Sequence, residues 1–322
     1  MIVLLLSAFL FPLGFAENQY VLYVMSLAFV WMIAIYGMNI LAGYTGYLSL
    51  AHAGFFAIGA YSVGILTTKA GFPYWSAFLL GIIITTVIGL LIGLIALRTK
   101  EHHFAIYTLI VGYIIYLLID KWDSLTGGVR GLIGIPAPEP IGPIDFTSGI
   151  GMYYLILIFL ILSIFISVRI IHSLTGRTYI AIRNSEELAQ TLGINTMTNK
   201  LVSFVISVFF AAVAGGLYAA LVRFLGPDIA YITIVFDMLM YLLVGGIGTL
   251  AGPFVGTMLI VWLTQFMQDL QEYRMVIFGP ILTLLIIFYP SGIVGGYYDL
   301  KAKLRKKKFN AETGQRSQVK EG

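Results

Sequence analysis

Residues 74–97 read YWSAFLLGIIITTVIGLLIGLIAL, and the part from Ile82 to Leu97 carries no charged side chain. About 20 apolar residues cover the roughly 30 Å of hydrocarbon in a bilayer, so this stretch is long enough to cross one. Similar runs occupy Ile150–Val168, Leu201–Val222 and Met275–Tyr289. These runs are continuous, whereas barrel strands alternate apolar and polar residues over about ten positions. Helical spans are therefore expected.

The whole chain supports this. Of 322 residues, 59% are hydrophobic and 11% are charged, against about 25% charged in a soluble domain. A chain this apolar cannot cover a surface in water, so lipid is its solvent. Cysteine is absent, which excludes a disulfide framework and a thiolate metal site. The expected fold is an all-α, polytopic transmembrane helical bundle of about ten spans. They fall at 2–16, 20–42, 47–68, 74–97, 104–121, 149–170, 201–224, 232–249, 252–268 and 274–291. The 2–16 run contains Pro12 and lacks the basic start and small-residue cleavage site of a signal peptide. The runs at 47–68 and 252–268 are rich in glycine, and if either is broken the count falls to eight or nine.

Basic residues set the orientation, because they stay cytoplasmic. The loops 98–103 and 169–200 and the tail after 300 hold 14 of the 19 Lys and Arg residues. Only Lys69, Lys121, Arg130, Arg223 and Arg274 remain outside them. Ten spans with both termini inside satisfy this bias. Residues 1–300 then form the transmembrane domain and 301–322 a basic cytoplasmic tail. The Lys301–Lys308 run anchors topology on anionic membrane lipid, and no nucleic-acid partner is expected of it.

Two polar interruptions are longer than topology requires. The first, 121–148, is extracytoplasmic by the charge rule and rich in Gly and Pro. The second, 173–200, is cytoplasmic. Its Thr178–Leu192 stretch is expected to be one amphipathic helix, with Tyr179, Ile182, Leu188 and Leu192 as an apolar stripe and Gly193 as its C-terminal stop. Such a helix can lie on the membrane or dock on a partner.

Within the spans, Gly43–Gly64 reads GYTGYLSLAHAGFFAIGAYSVG, with small residues recurring at Gly46, Ser49, Ala53, Ala57, Ala60 and Gly64. That spacing lets helix backbones approach closely, with His52 satisfied by a neighbour. It also fits a substrate path along an unwound Gly-rich stretch. Both readings stay open. Gly43, Gly46, Leu48 and Gly54 recur at Gly245, Gly248, Leu250 and Gly256, an offset of 202, as a faint internal echo. Asp237 is nearly alone as an ionisable residue inside a span. It costs about 2.5–3.5 kcal/mol at a helix centre, so it faces the protein interior or lies close to the outer interface. Enzymatic chemistry finds no support. The phosphate-binding G-x-x-x-x-G-K-S/T loop, H-E-x-x-H and G-x-S-x-G are all missing. His102-His103 beside Glu101 is too few ligands for a metal site, and no cofactor is expected.

These residues carry a resemblance. Gly43–Tyr61, GYTGYLSLAHAGFFAIGAY, is similar to the G-x-x-G-x-L-S-x-G-H-x-x-F-x-x-I-G-A-Y motif of the inner-membrane permeases of branched-chain amino acid ABC importers, the LivM kind. Thr126–Pro136, TGGVRGLIGIP, resembles that family's second motif. Gly176–Ile194, GRTYIAIRNSEELAQTLGI, resembles the EAA loop that docks on the ATPase, and Gly245–Pro253 follows it. Leu188 replaces the usual Ala, and Ala51 replaces a Gly before the histidine.

The resemblance covers nearly all of 20–292 and implies an importer subunit without chemistry of its own. ATPase subunits would couple through Gly176, Arg177, Ala181, Arg183, Glu187, Ala189 and Gly193. A translocation path would involve Gly43, Gly46, Ser49, His52, Gly59, Tyr61, Asp237, Gly245 and Gly248. A second related permease subunit and an extracytoplasmic substrate-binding protein, docking partly on 121–148, complete the implied assembly. It would sit in the bacterial or archaeal plasma membrane. Related permeases carry urea or short amides, so the resemblance leaves the solute open. A secondary transporter is the rival reading, but it would need paired ionisable groups in the spans, and Asp237 is nearly alone.

Overall fold

The computed structural model describes residues 8–12, 14, 18–99, 101–142, 145–266, 280, 292–297 and 301. Nearly all of the span expected at 274–291, most of that at 2–16, and all of the basic tail but Lys301 lie outside these residues. The chain divides into two compact units, Met1–Tyr241 and Leu242–Gly322.

The first unit is built on helices. Asn18 caps α1 (Gln19–Met38), its side chain accepting the Val21 N–H. The helix continues as a π-helical segment, Asn39–Thr45. There follow α2 (His52–Thr68), α3 (Tyr74–Ala96) and α4 (Glu101–Lys121). After the short α5 (Asp123–Thr126) and the strand β1 (Leu132–Ile133) comes α6 (Gly149–His172). The polar segment contributes α7 (Leu174–Asn184) and α8 (Glu186–Thr191). The long α9 (Thr196–Val222) is followed by β2 (Phe224–Leu225) and by α10 (Ile232–Gly245), which begins in the first unit and ends in the second; the second unit contains α11 (Gly252–Phe266). Among the described residues, five helices are long and apolar enough to cross a membrane: Gln19–Thr45, α3, His102–Lys121, α6 and α9.

Helix α9 is the centre, packed on α1, α2 and α3. Lipid tails are as apolar as leucine, so membrane helices associate through close packing. Glycines make that possible here. A Cβ at Gly59 would lie 2.8 Å from the Ala212 Cα, and one at Gly215 would lie 2.8 Å from the Ala60 nitrogen. Helix α3 shows the resulting pattern. Its inner face carries Ala77, Gly81, Thr85, Gly89 and Gly93, with Gly89 against Val208 and Gly93 against Phe204. Its outer face exposes Leu79, Ile83, Val87, Leu91 and Ile95, four residues apart. That stripe is apolar enough to face lipid.

Three local expectations change. The run at 47–68 is helical only from His52, because Gly46 turns the chain at φ +87°. The expected single helix at 178–192 is two, broken at Ser185. That residue is extended, and its Oγ accepts the Leu188 N–H to start α8 afresh. Finally, the bundle is not purely helical. β1 and β2 pair antiparallel, Leu132 with Leu225 and Ile133 with Phe224. This ladder fastens the 121–148 segment, and Tyr61 Oη donates to the Leu225 carbonyl at 2.9 Å. At the segment's other end the Glu139 carboxylate accepts the Tyr74 N–H at 2.8 Å, satisfying a donor that α3 leaves free at its start.

Candidate functional site

The π-helical segment ends where the 173–200 segment meets it. A π-helix carries one more residue per turn than an α-helix and is often found at functional sites. Here Gly46 and Tyr47 both direct their N–H groups to the Leu41 carbonyl. Gly46 is required twice over. Its φ is left-handed, and a Cβ would lie 3.1 Å from the Arg183 Cγ. The Arg183 guanidinium reaches past it and donates from Nη1 to the Gly43 carbonyl at 2.5 Å. The α7 helix thus holds the broken end of α1 by a charge-assisted bond.

One residue further on, three side chains close a second link. Tyr47 Oη donates to Glu186 Oε2 at 2.5 Å. Lys200 Nζ donates to Glu186 Oε1 at 2.6 Å and to Tyr47 Oη at 3.1 Å, and sits over the tyrosine ring. Lys200 is 5% exposed, so its charge is tolerable only because it is paired. Burial alone would raise the Glu186 carboxyl. Hydrogen bonds from Lys200, Tyr47 and Thr196, with the Lys200 charge, outweigh it and hold its pKa below the ordinary glutamate value. Glu186 opens α8, whereas Lys200 lies in the first turns of α9. The carboxylate therefore joins three elements.

The surface beside this link is open. A cavity of about 580 Å³ is lined by Tyr47, Arg98, His102, Glu186, Glu187 and Lys200, among others. The α8 helix stands at its edge and ends in a Schellman motif. Gly193 N–H donates to Gln190 O at 2.9 Å, Ile194 N–H to Ala189 O at 3.1 Å, and Gly193 has φ +81°. The expected stripe is split by the Ser185 break. Tyr179 and Ile182 are buried, while Leu188 and Leu192 are 61% and 72% exposed.

The remaining expected coupling residues lie around this corner. Gly176 is buried at the tight α6–α7 turn, where a Cβ would lie 2.6 Å from the Ile170 carbonyl oxygen. Ala189 is buried, Ala181 half-buried, and Arg177 and Glu187 are exposed.

Within the first unit the expected path residues make several separate contacts. Gly43 and Gly46 lie at the Arg183 contact. His52 donates from Nε2 to the Ala34 carbonyl at 2.9 Å, since a carbonyl only accepts, and its Nδ1 faces Ser207 Oγ at 3.4 Å. It bridges α1 and α9. Gly59 is a packing contact with α9, and Tyr61 ties α2 to β2. Ser49 is 2% exposed and its Oγ has no hydrogen-bond partner. Asp237 is half-buried on α10. In the second unit, a Cβ at Gly245 would lie 2.9 Å from the Gly256 nitrogen, and Gly248 has φ +73°. Gly46 and Gly248, matched in the sequence echo, thus both take positive φ after a helix end.

Sequence reasoning missed Tyr47, Glu186 and Lys200 as a unit. The available signal was Lys200 itself, a charge directly before the apolar run from Leu201. Asn195 caps α9 six residues before that run and draws the lysine into the helix.

This chain is 28% identical to the high-affinity branched-chain amino acid transport system permease protein LivM of Salmonella typhimurium over 84% of its own length and 68% of that protein. It is 27% identical to the permease protein BraD of Pseudomonas aeruginosa, over 80% and 89% respectively. It is 20% identical to a probable LivM permease of Methanocaldococcus jannaschii over 71% of each. No solved structure matches. The family model described as branched-chain amino acid transport system / permease component matches residues 20–288. The chain is a multi-pass membrane protein and belongs to that permease family.

Proposed function

We propose that this chain is one membrane subunit of an ATP-driven importer of branched-chain amino acids, and that α8 is the point where ATPase subunits act on it. The observation that carries this is the double attachment of the 173–200 segment to the broken end of α1. Arg183 holds Gly43, and Glu186 holds Tyr47 and Lys200. A push on α7 or α8 therefore reaches the Gly-rich break without passing through a flexible loop.

Leu188 and Leu192 stand in solvent beside that link. Exposed apolar side chains on a polar segment mark a docking surface. The partner reading of this segment is thereby favoured over the membrane-surface reading, and two glutamates on α8 oppose an anionic lipid surface. The segment is cytoplasmic by the positive-inside rule, with both termini inside and 121–148 outside in the plasma membrane of a bacterium or archaeon. The 121–148 segment then receives a substrate-loaded binding protein, and a second related permease completes the pore. The fastening of that segment by β1–β2 and Glu139 suits a docking platform.

The test is purification from native membranes with co-purifying subunits identified by mass, followed by reconstitution into vesicles. Uptake of leucine, isoleucine or valine that requires both ATP and a binding protein is the expected result. Uptake driven by an ion gradient without ATP would overturn the proposal.

A further inference from the structure

We propose that the ATPase-facing surface is composite: the connection between α3 and α4, at Leu97, Arg98, Thr99 and His102, forms with α8 a cavity that receives a partner segment bearing one acidic and one basic side chain. This rests on the importer reading above and extends it to a part of the chain outside the docking helix.

Three observations carry it. The cavity has two walls far apart in sequence, one from Leu97, Arg98, Thr99 and His102 and one from Ser185, Glu186, Glu187 and Gln190, with Tyr47 and Lys200 also lining it. Its volume of about 580 Å³ takes more than a single side chain. Its charges are also unevenly spent. Lys200 and Glu186 pair with each other. Arg98 and Glu187 stand exposed on opposite walls, and among the described residues neither forms an ion pair.

Among the described lining residues Arg98 and Glu187 are one cation and one anion outside any ion pair, and an occupant carrying both signs complements them best. A single basic or acidic side chain would satisfy one wall and face like charge on the other. The apolar contribution comes from Leu188 and Leu192, exposed on and just after α8. An apolar contact flanked by charged pairs is the usual composition of a protein interface. Because Glu186 is both wall and link, an occupant seated there touches the residue that holds Tyr47 and Lys200.

The absence of cysteine gives a direct test. Single cysteines are placed at Arg98, Thr99 and Leu192 in the chain carrying its co-purified ATPase subunits, and each is cross-linked with a short thiol-to-amine reagent. All three are expected to give a product containing an ATPase subunit. Arg98→Glu is expected to cause a several-fold loss of ATPase-subunit retention at low salt, with little difference from the parent at high salt, where exposed charges are screened.

Cross-linking from Leu192→Cys but from neither Arg98→Cys nor Thr99→Cys would overturn the composite surface while leaving α8 docking intact. No product from any of the three would overturn the docking reading itself. Protection of Arg98→Cys from maleimide by free leucine, without ATPase subunits and without an ATPase cross-link, would make the cavity a small-molecule site and also overturn the proposal.

Discussion

The Tyr47 hydroxyl donates to the Glu186 carboxylate at 2.5 Å across a sequence separation of 139 residues. Lys200 completes the group from a third element.

That arrangement predicts an asymmetry between two substitutions. Glu186→Ala leaves the Lys200 ammonium buried without its counter-ion, a loss of about 3–5 kcal/mol for a fully buried pair. Because the Glu186 side chain is 25% exposed, the lower end is expected. Tyr47→Phe removes the hydroxyl's bond to the Glu186 carboxylate, about 1.5–3 kcal/mol, and the longer bond it accepts from Lys200, but leaves the Glu186–Lys200 ion pair in place. Thermal unfolding in detergent should therefore rank Glu186→Ala below Tyr47→Phe. Equal melting temperatures would show that the link carries no load.

The depressed pKa of Glu186 gives a pH signature. A group whose folded pKa lies below its unfolded value stabilises the fold fully above the unfolded pKa. That stabilisation disappears as pH falls through the folded value. The stability gap between the parent chain and Glu186→Gln should stay constant from pH 8 to about pH 5. It should close below the ordinary glutamate value of about 4.3. A gap that closes near neutrality would contradict the pairing.

Glycines on α9 are predicted to be irreplaceable for packing. A Cβ at Gly215 would collide with the Phe56 carbonyl oxygen, a backbone atom of α2 that cannot swing aside. Gly215→Ala should cost about 1–3 kcal/mol, the usual range for overpacking. The same change at Gly71, which has open space but φ +69°, should cost about 1–2 kcal/mol from backbone strain alone. A Gly215→Leu chain that folds and melts normally would refute the close α2–α9 crossing.

Gly193 predicts a functional rather than a structural defect. No atom lies within 4 Å of a Cβ built there, but φ +81° disfavours any side chain. A β-branched residue should break the Schellman turn and re-aim Leu192 without disturbing the bundle. Gly193→Val should insert normally and lose stimulation of ATPase activity by loaded binding protein. Undiminished stimulation would remove α8 from the coupling role.

The bundle was legible because apolar runs report membrane burial directly. Tyr74–Ala96 and Gly149–His172 fall within two residues of the expected limits. What escaped were events decided by one polar residue. Ser185 splits a segment that the apolar pattern read as one helix, leaving Tyr179 and Ile182 on α7 and Leu188 on α8. Asn195 starts α9 before its apolar run and carries Lys200 inward. The 173–200 segment was readable as a docking element from its pattern and its resemblance. Its hold on Gly43 and Tyr47 was not, because no local rule connects residues about 140 apart.

Helix α3 carries a consequence for how this protein tolerates change. In a water-soluble helix, large residues are guarded and small ones drift. Here the reverse applies. Leu79, Ile83, Val87, Leu91 and Ile95 are each about half exposed or more on the outer face, so exchanging one for another bulky apolar residue should go almost unnoticed. Gly89 and Gly93 are pressed on Val208 and Phe204, and the addition of a single methyl group there would force the helices apart. Along this helix the smallest side chains are therefore the most constrained, and bulk on the outer face is interchangeable.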